Sequence, residues 1–98
     1  MPAYLVAQIE VHDPIGFDEY RSRVAPVIGA FGGRYIVRAG TLETLEGAKQ
    51  QRRLVIVEFP SVDAARSFYH SPEYAPVLQL RLDSAASDVV LVEGLLPG

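Results

Sequence analysis

Tyr69, Ser71, Tyr74 and Arg81 follow one another in the stretch FYHSPEYAPVLQLR, the densest polar and aromatic run of the chain. If Ser71-Pro72 opens a helix, then Tyr74, Leu78 and Arg81 fall at spacings of four and three and share one face. A guanidinium held among aromatic and aliphatic groups suits recognition of a small carboxylate or enolate, with the phenols as further hydrogen-bond donors. The competing reading is structural: Arg81 buries its stem and pairs with Glu58 or Glu93, while the tyrosines fill core and keep their hydroxyls wet.

Glu58 and Glu93 each end an apolar run. Partial burial there would raise a carboxylate pKa toward general-base chemistry, whereas solvated or ion-paired carboxylates at a sheet rim are the commoner outcome. Glu10 and Arg38 stand at strand positions with the same two readings. His12 beside Asp13 is a possible proton shuttle, but Asp13 before Pro14 equally suits a helix cap and His12 a surface position. His70 and Glu73 are three residues apart, yet two histidines and no cysteine leave a metal few ligands. The serines form no GxSxG elbow. The glycines of GAFGG follow a helix pattern instead of opening one after a strand, so they make no dinucleotide fingerprint. No metal or organic cofactor is therefore expected, which leaves chemistry that a small cofactor-free pocket can manage.

Nine Lys and Arg against twelve Asp and Glu give a net charge of −3. That balance argues against a sequence-independent nucleic-acid partner. Arg34, Arg38, Arg52 and Arg53 are the nearest approach to a basic cluster and read as solvated strand ends and a loop. Met1-Pro2-Ala3 leads straight into a strand pattern, without a basic leader or a long apolar span, so a soluble cytoplasmic protein with no membrane partner is expected. The length of 98 residues suits a single domain covering residues 1–98.

The elements that must position these groups are legible in order. Residues 3–11 alternate, with Leu5, Ala7, Ile9 and Val11 on one face and Tyr4, Val6, Gln8 and Glu10 on the other. Asp13-Pro14 then opens a helix whose core stripe is Phe17, Tyr20, Val24, Val27 or Ile28, and Phe31. Pro26 inside the stripe predicts a kink or an early end, and Gly32-Gly33 predicts a left-handed cap. Residues 34–39 read as a second strand with Tyr35 and Val37 on one face and Ile36 and Arg38 on the other. Residues 41–51 read as a long hairpin arm, and residues 54–59 as a third strand that is apolar on both faces. Ser61 caps a further helix with Asp63 in its first turn, the chain recaps at Ser71, and residues 89–93 close with a last strand before a loose tail.

Strand, helix, strand, strand, helix, strand is the order of an α+β, ferredoxin-like βαββαβ sandwich: a four-stranded antiparallel sheet with its helices on one side. Helices cover one face only, yet Val6, residues 54–59 and residues 89–92 are apolar on both. A second copy of the chain is the expected cover, giving a homodimer through the sheet face.

The segments GGRYIVRAG, RRLVIVEFPS, AARSFYHSPEY, Arg81 and DVVLVEG, with Asp13-Pro14 and Tyr20 near the front, resemble the domain of unknown function 1330 family of the dimeric α/β-barrel superfamily. The resemblance runs over nearly the whole chain and implies a ferredoxin-like protomer whose sheet packs on a partner's sheet. It implies no activity. Phe68 stands where the family commonly has Trp, which leaves more room beside the helices, and Ala39-Gly40 stands where Gly-Gly is expected. Two functional readings remain: a small-molecule binder or cofactor-independent enzyme for an aromatic or carboxylate-bearing compound, with candidate pocket residues Arg38, Glu58, Tyr69, Ser71, Tyr74, Arg81 and Glu93, or a non-catalytic dimeric module.

Overall fold

A computed structural model of the chain describes residues 1–48 and 52–95. The chain enters as strand β1 (Ala3–Val11), and Asp13 ends it by capping the next element. The Asp13 carboxylate accepts from the Gly16 N–H at 3.3 Å, Pro14 takes the first helical position, and helix α1 runs Pro14–Ala30. The helix does not end early at Pro26, one of the two outcomes expected there. Pro26 deprives the Ser22 carbonyl of its helical donor, but both residues are exposed, where solvent can replace the lost bond. At the other end Gly33 N–H bonds to the Ile28 carbonyl at 2.9 Å and Gly32 N–H to that of Gly29 at 3.0 Å, with Gly32 at φ +81°. This is the left-handed cap that the glycine pair predicts.

Strands β2 (Arg34–Arg38) and β3 (Arg53–Phe59) pair antiparallel, and β1 lies between β3 and the closing strand β4 (Ala85–Glu93), giving the order β2-β3-β1-β4. Ser61 accepts from the Ala64 N–H at 3.0 Å to cap α2 (Val62–Tyr69), and after a turn the chain continues as α3 (Ala75–Ser84). The architecture is the ferredoxin-like α+β plan. Side chains of Val24, Ile28, Val57, Phe59, Ala65, Phe68, Tyr74 and Val77 form the main core between the helices and one face of the sheet.

Three details differ from the sequence expectation, each for a physical reason. In β2, Tyr35 lies opposite Val57 and Val37 opposite Ile56, so Ile36 is an inserted residue. Such a bulge reverses the alternation: Tyr35 and Arg38 share the helix face, and Arg34 and Val37 the other. Among the described residues the long hairpin arm does not form. Pairing reaches Arg38 opposite Val55, and residues 41–48 have no regular structure, since TLETLEGA offers no alternating apolar face to bury. The rest of that segment, residues 49–51, lies outside the described residues. Finally, β4 starts at Ala85, four residues before the expected start, because Ser84 welds the end of α3 to the start of α1. The Ser84 carbonyl accepts from the N–H groups of His12 and Asp13, both at 3.0 Å, which sets Ala85 opposite Val11.

The other face of the sheet is apolar and uncovered within the chain. Val6 sits between Ile56 and Val90 in register, and Val90 is 59% and Val92 48% exposed. None of the described helices is long and apolar enough to cross a membrane.

Candidate functional site

Between α1, α3 and the helix face of the sheet lies a cavity of about 90 Å³. At roughly 10–15 Å³ for each water, that is room for several waters or for one substituted ring. Its floor is aliphatic, from Leu5, Ala7, Ile9, Val55 and Val89. Its polar groups are of two kinds only, the phenols of Tyr20, Tyr35, Tyr69 and Tyr74 and the guanidinium groups of Arg21, Arg38, Arg53 and Arg81. Four of the five tyrosines of the chain therefore meet cations in one place, and among the described residues no carboxylate lines it, although acidic residues outnumber basic ones overall.

Arg81 is the innermost of these cations. The helix α3 that carries it begins after a turn held by Ser71, whose hydroxyl donates to the Phe68 carbonyl at 2.8 Å and accepts from the Tyr74 N–H at 3.1 Å. Pro76 falls in the first turn of α3, where it interrupts nothing. From there Tyr74, Leu78 and Arg81 point along one face toward α1, and Arg81 is only 4% exposed. Its guanidinium carbon stands 5.9 Å from the Tyr20 ring centre, and Tyr20 and Tyr74 share a hydroxyl–hydroxyl hydrogen bond of 2.9 Å. Among the described residues no carboxylate pairs with it.

Burial opposes the charge on Arg81, but the neighbouring Tyr74, Tyr20 and Tyr69 outweigh it, and the guanidinium pKa lies above its ordinary value. Burial also pushes the Tyr20 phenol well above the usual range, with Tyr74 reinforcing the effect. Tyr35 is raised in the same way by burial, against the pull of the nearby Arg38. Protonated phenols donate hydrogen bonds and do not abstract protons.

The structure brings Arg38, Tyr69, Tyr74 and Arg81 of the sequence candidates to the cavity. Ser71 lies behind it, buried and engaged in the turn. Glu58 faces the opposite side of the sheet, where it pairs with Arg34 at 2.9 Å, and Glu93 is exposed at the end of β4. Neither carboxylate pairs with Arg81: Glu58 lies on the other face of the sheet with Tyr4, and Glu93, although opposite the buried Ala3, is at the end of β4 away from α3. Asp13 and His12 serve the turn before α1, and no cluster of three His, Asp or Glu groups able to hold a metal occurs among the described residues. Sequence reasoning missed Tyr20, Arg21, Tyr35 and Arg53. Tyr20 reads equally well as plain core. Arg53 starts a strand after a polar loop, and Tyr35 joins Arg38 only through the bulge at Ile36.

The family model for a domain of unknown function, DUF1330, matches residues 2–95. The chain belongs to the DUF1330 family. No curated protein matches it by sequence. Solved structures show the fold of this DUF1330 chain more widely. A protein of unknown function from Rhodopseudomonas palustris is 22% identical with a TM-score of 0.75, over 98% of this chain and 84% of that one. SnoaB, a cofactor-independent oxygenase from Streptomyces nogalater, is 21% identical with a TM-score of 0.70, over 98% of this chain and 95% of that one. A dimeric ferredoxin-like protein of unknown function from Jannaschia sp. is 13% identical with a TM-score of 0.66, over 96% of this chain and all of that one. At these identities the likeness concerns fold, and the DUF1330 name carries no activity.

Proposed function

We propose that this chain is a homodimeric small-molecule protein that binds an aromatic or enolisable organic acid in the cavity at Arg81 and holds it as its anion, without a dedicated cofactor. The observation that carries this reading is the buried guanidinium of Arg81, which faces phenols and has no carboxylate partner among the described residues. A buried cation left without an acidic partner costs stability, so a bound anion is the natural completion of its shell. Arg81 offers a planar fork of donors to a carboxylate or enolate oxygen, and the Tyr20–Tyr74 pair offers a hydroxyl donor beside it.

Such a site lowers the pKa of a bound enol, phenol or carbon acid by stabilising its conjugate base. The electron-rich anion formed is the reactive form of such a compound toward electrophiles, which is compatible with the activity of the similarly folded cofactor-independent oxygenase from Streptomyces nogalater. The phenols are poor bases, so the favoured substrates are acidic enough to ionise on binding.

A thermal-shift screen of small aromatic and keto acids against wild type, Arg81→Ala and Arg81→Lys tests the reading. Wild type is expected to gain stability with a subset of acids. Arg81→Ala loses that response, and Arg81→Lys restores it only in part, because an ammonium lacks the bidentate geometry. A wild type that responds to no acid would overturn the proposal and leave the reading as a non-catalytic dimeric module.

A further inference from the structure

The cavity has a second cationic pole, distinct from Arg81 and placed at its mouth. Arg21 and Arg38 are exposed and Arg53 half-buried, and all three, with Arg52, also line the open hollow into which the cavity leads. Arg21 and Arg52 have acidic partners, Asp18 at 3.4 Å and Asp88 respectively. Arg38 and Arg53 have none among the described residues. Each is instead held against an aromatic ring: the guanidinium carbon of Arg38 lies 4.6 Å from the Tyr35 ring centre, and that of Arg53 lies 5.2 Å from the Phe17 ring centre.

The two poles are joined by one aromatic wall. Phe17 and Tyr20 have ring centres 5.5 Å apart, with Arg53 over the first ring and Arg81 over the second. Between this wall and the aliphatic floor, one guanidinium without a carboxylate partner among the described residues stands at the buried end of the cavity and two stand at its exposed end. Stacking on an aromatic face fixes a guanidinium while leaving its in-plane N–H donors free, so the outer pair is pre-organised and unspent. A ligand with a single acidic group engages one end only.

We infer that the ligand of this cavity is a planar compound with two anionic groups at opposite ends of its ring, the inner one held by Arg81 and the outer one by Arg38 and Arg53. The inference rests on the anion-binding reading of the same cavity. The inner group is the one that Arg81 and the phenols stabilise, and the outer group sets specificity. Because the outer pole is partly solvated, its contribution weakens with added salt, whereas the buried pole is screened less.

Calorimetric titration with benzoate, benzene-1,3-dicarboxylate and benzene-1,4-dicarboxylate as probes tests the inference on wild type, Arg38→Gln and the Arg38→Gln/Arg53→Gln pair. One of the dicarboxylates is expected to bind wild type about tenfold more tightly than benzoate, the effect of one further charge-assisted contact. The paired variant loses that advantage and still binds benzoate. Arg38→Gln, at an exposed position, loses part of it and guards against a folding defect at Arg53. Equal affinity of benzoate and both dicarboxylates for wild type, or an advantage that survives in the paired variant, would overturn the two-pole ligand while leaving single-anion binding intact. Absence of binding by all three probes overturns both.

Discussion

Replacing Arg81 by Met separates a group kept for binding from one kept for folding. The side chain is 4% exposed, stands 5.9 Å from the Tyr20 ring centre and has no acidic partner among the described residues. Phenols raise its pKa, but they act as charges only once ionised, and an ordinary phenol keeps its proton until about pH 10. At neutral pH only dipoles and a ring face therefore offset the burial of the guanidinium. Replacing a buried ion pair by apolar side chains of similar volume is commonly neutral or stabilising by roughly 1–4 kcal/mol, and a buried guanidinium without an acidic partner has less attraction to lose. The hydroxyl and ring-face contacts that Arg81 makes with Tyr74 and Tyr20 are lost with it, which places the expected gain at the lower end, about 1 kcal/mol. For a domain of this size that corresponds to a rise of about 4–8 °C in Tm. Urea and thermal unfolding of wild type and Arg81→Met, each with and without an organic acid, provide the assay. The variant is expected to match or exceed the stability of the ligand-free wild type and to show no ligand response. A loss of more than about 2 kcal/mol, the mark of a broken buried pair, would refute the reasoning.

Ala39 adopts φ +56°, the left-handed region that costs an L-residue about 1–2 kcal/mol, so Ala39→Gly is expected to raise the urea midpoint despite the added chain entropy, and an unchanged or lowered midpoint would count against it. Alkaline pH should destabilise the fold: burial holds the Tyr20 phenol above its ordinary pKa, so above about pH 10 the unfolded chain releases a proton that the folded chain keeps. Stability then falls by up to about 1.4 kcal/mol per pH unit for that group, with a smaller part from the half-solvated Tyr35, while below about pH 10 neither contributes a slope. Urea unfolding from about pH 9 to about pH 11, followed beside phenolate absorbance, checks this, and a flat profile would contradict it. Val6, Ile56, Val90 and Val92 form an apolar sheet face that a second copy is expected to cover, burying on the order of 2,000 Å². Light scattering should give twice the chain mass for wild type and a smaller species for Val90→Glu; a monomeric wild type would rule that interface out.

What the sequence determined is what neighbouring residues decide among themselves. Asp13-Pro14 and Ser61 cap their helices because a side-chain oxygen reaches amides three residues away, and Gly32 ends α1 because the αL conformation there is a one-residue matter. Alternation along residues 3–11 and the order of the elements sufficed for the ferredoxin-like plan. The spacing of Tyr74 and Arg81 correctly put them on one helical face. Tertiary structure decided which groups those faces meet. Glu58 was within reach of Arg81 by strand position alone, but the pairing of Tyr4 with Glu58 turns it to the other side of the sheet. The single inserted residue at Ile36 turns Arg38 from the open face to the cavity, where it joins Tyr35. The start of β4 at Ala85 depended on a carbonyl at Ser84 that is shared by two amides more than seventy residues earlier. Strand side chains alternate with a period of two, so one residue of register, which no local pattern encodes, exchanges a solvent face for the cavity.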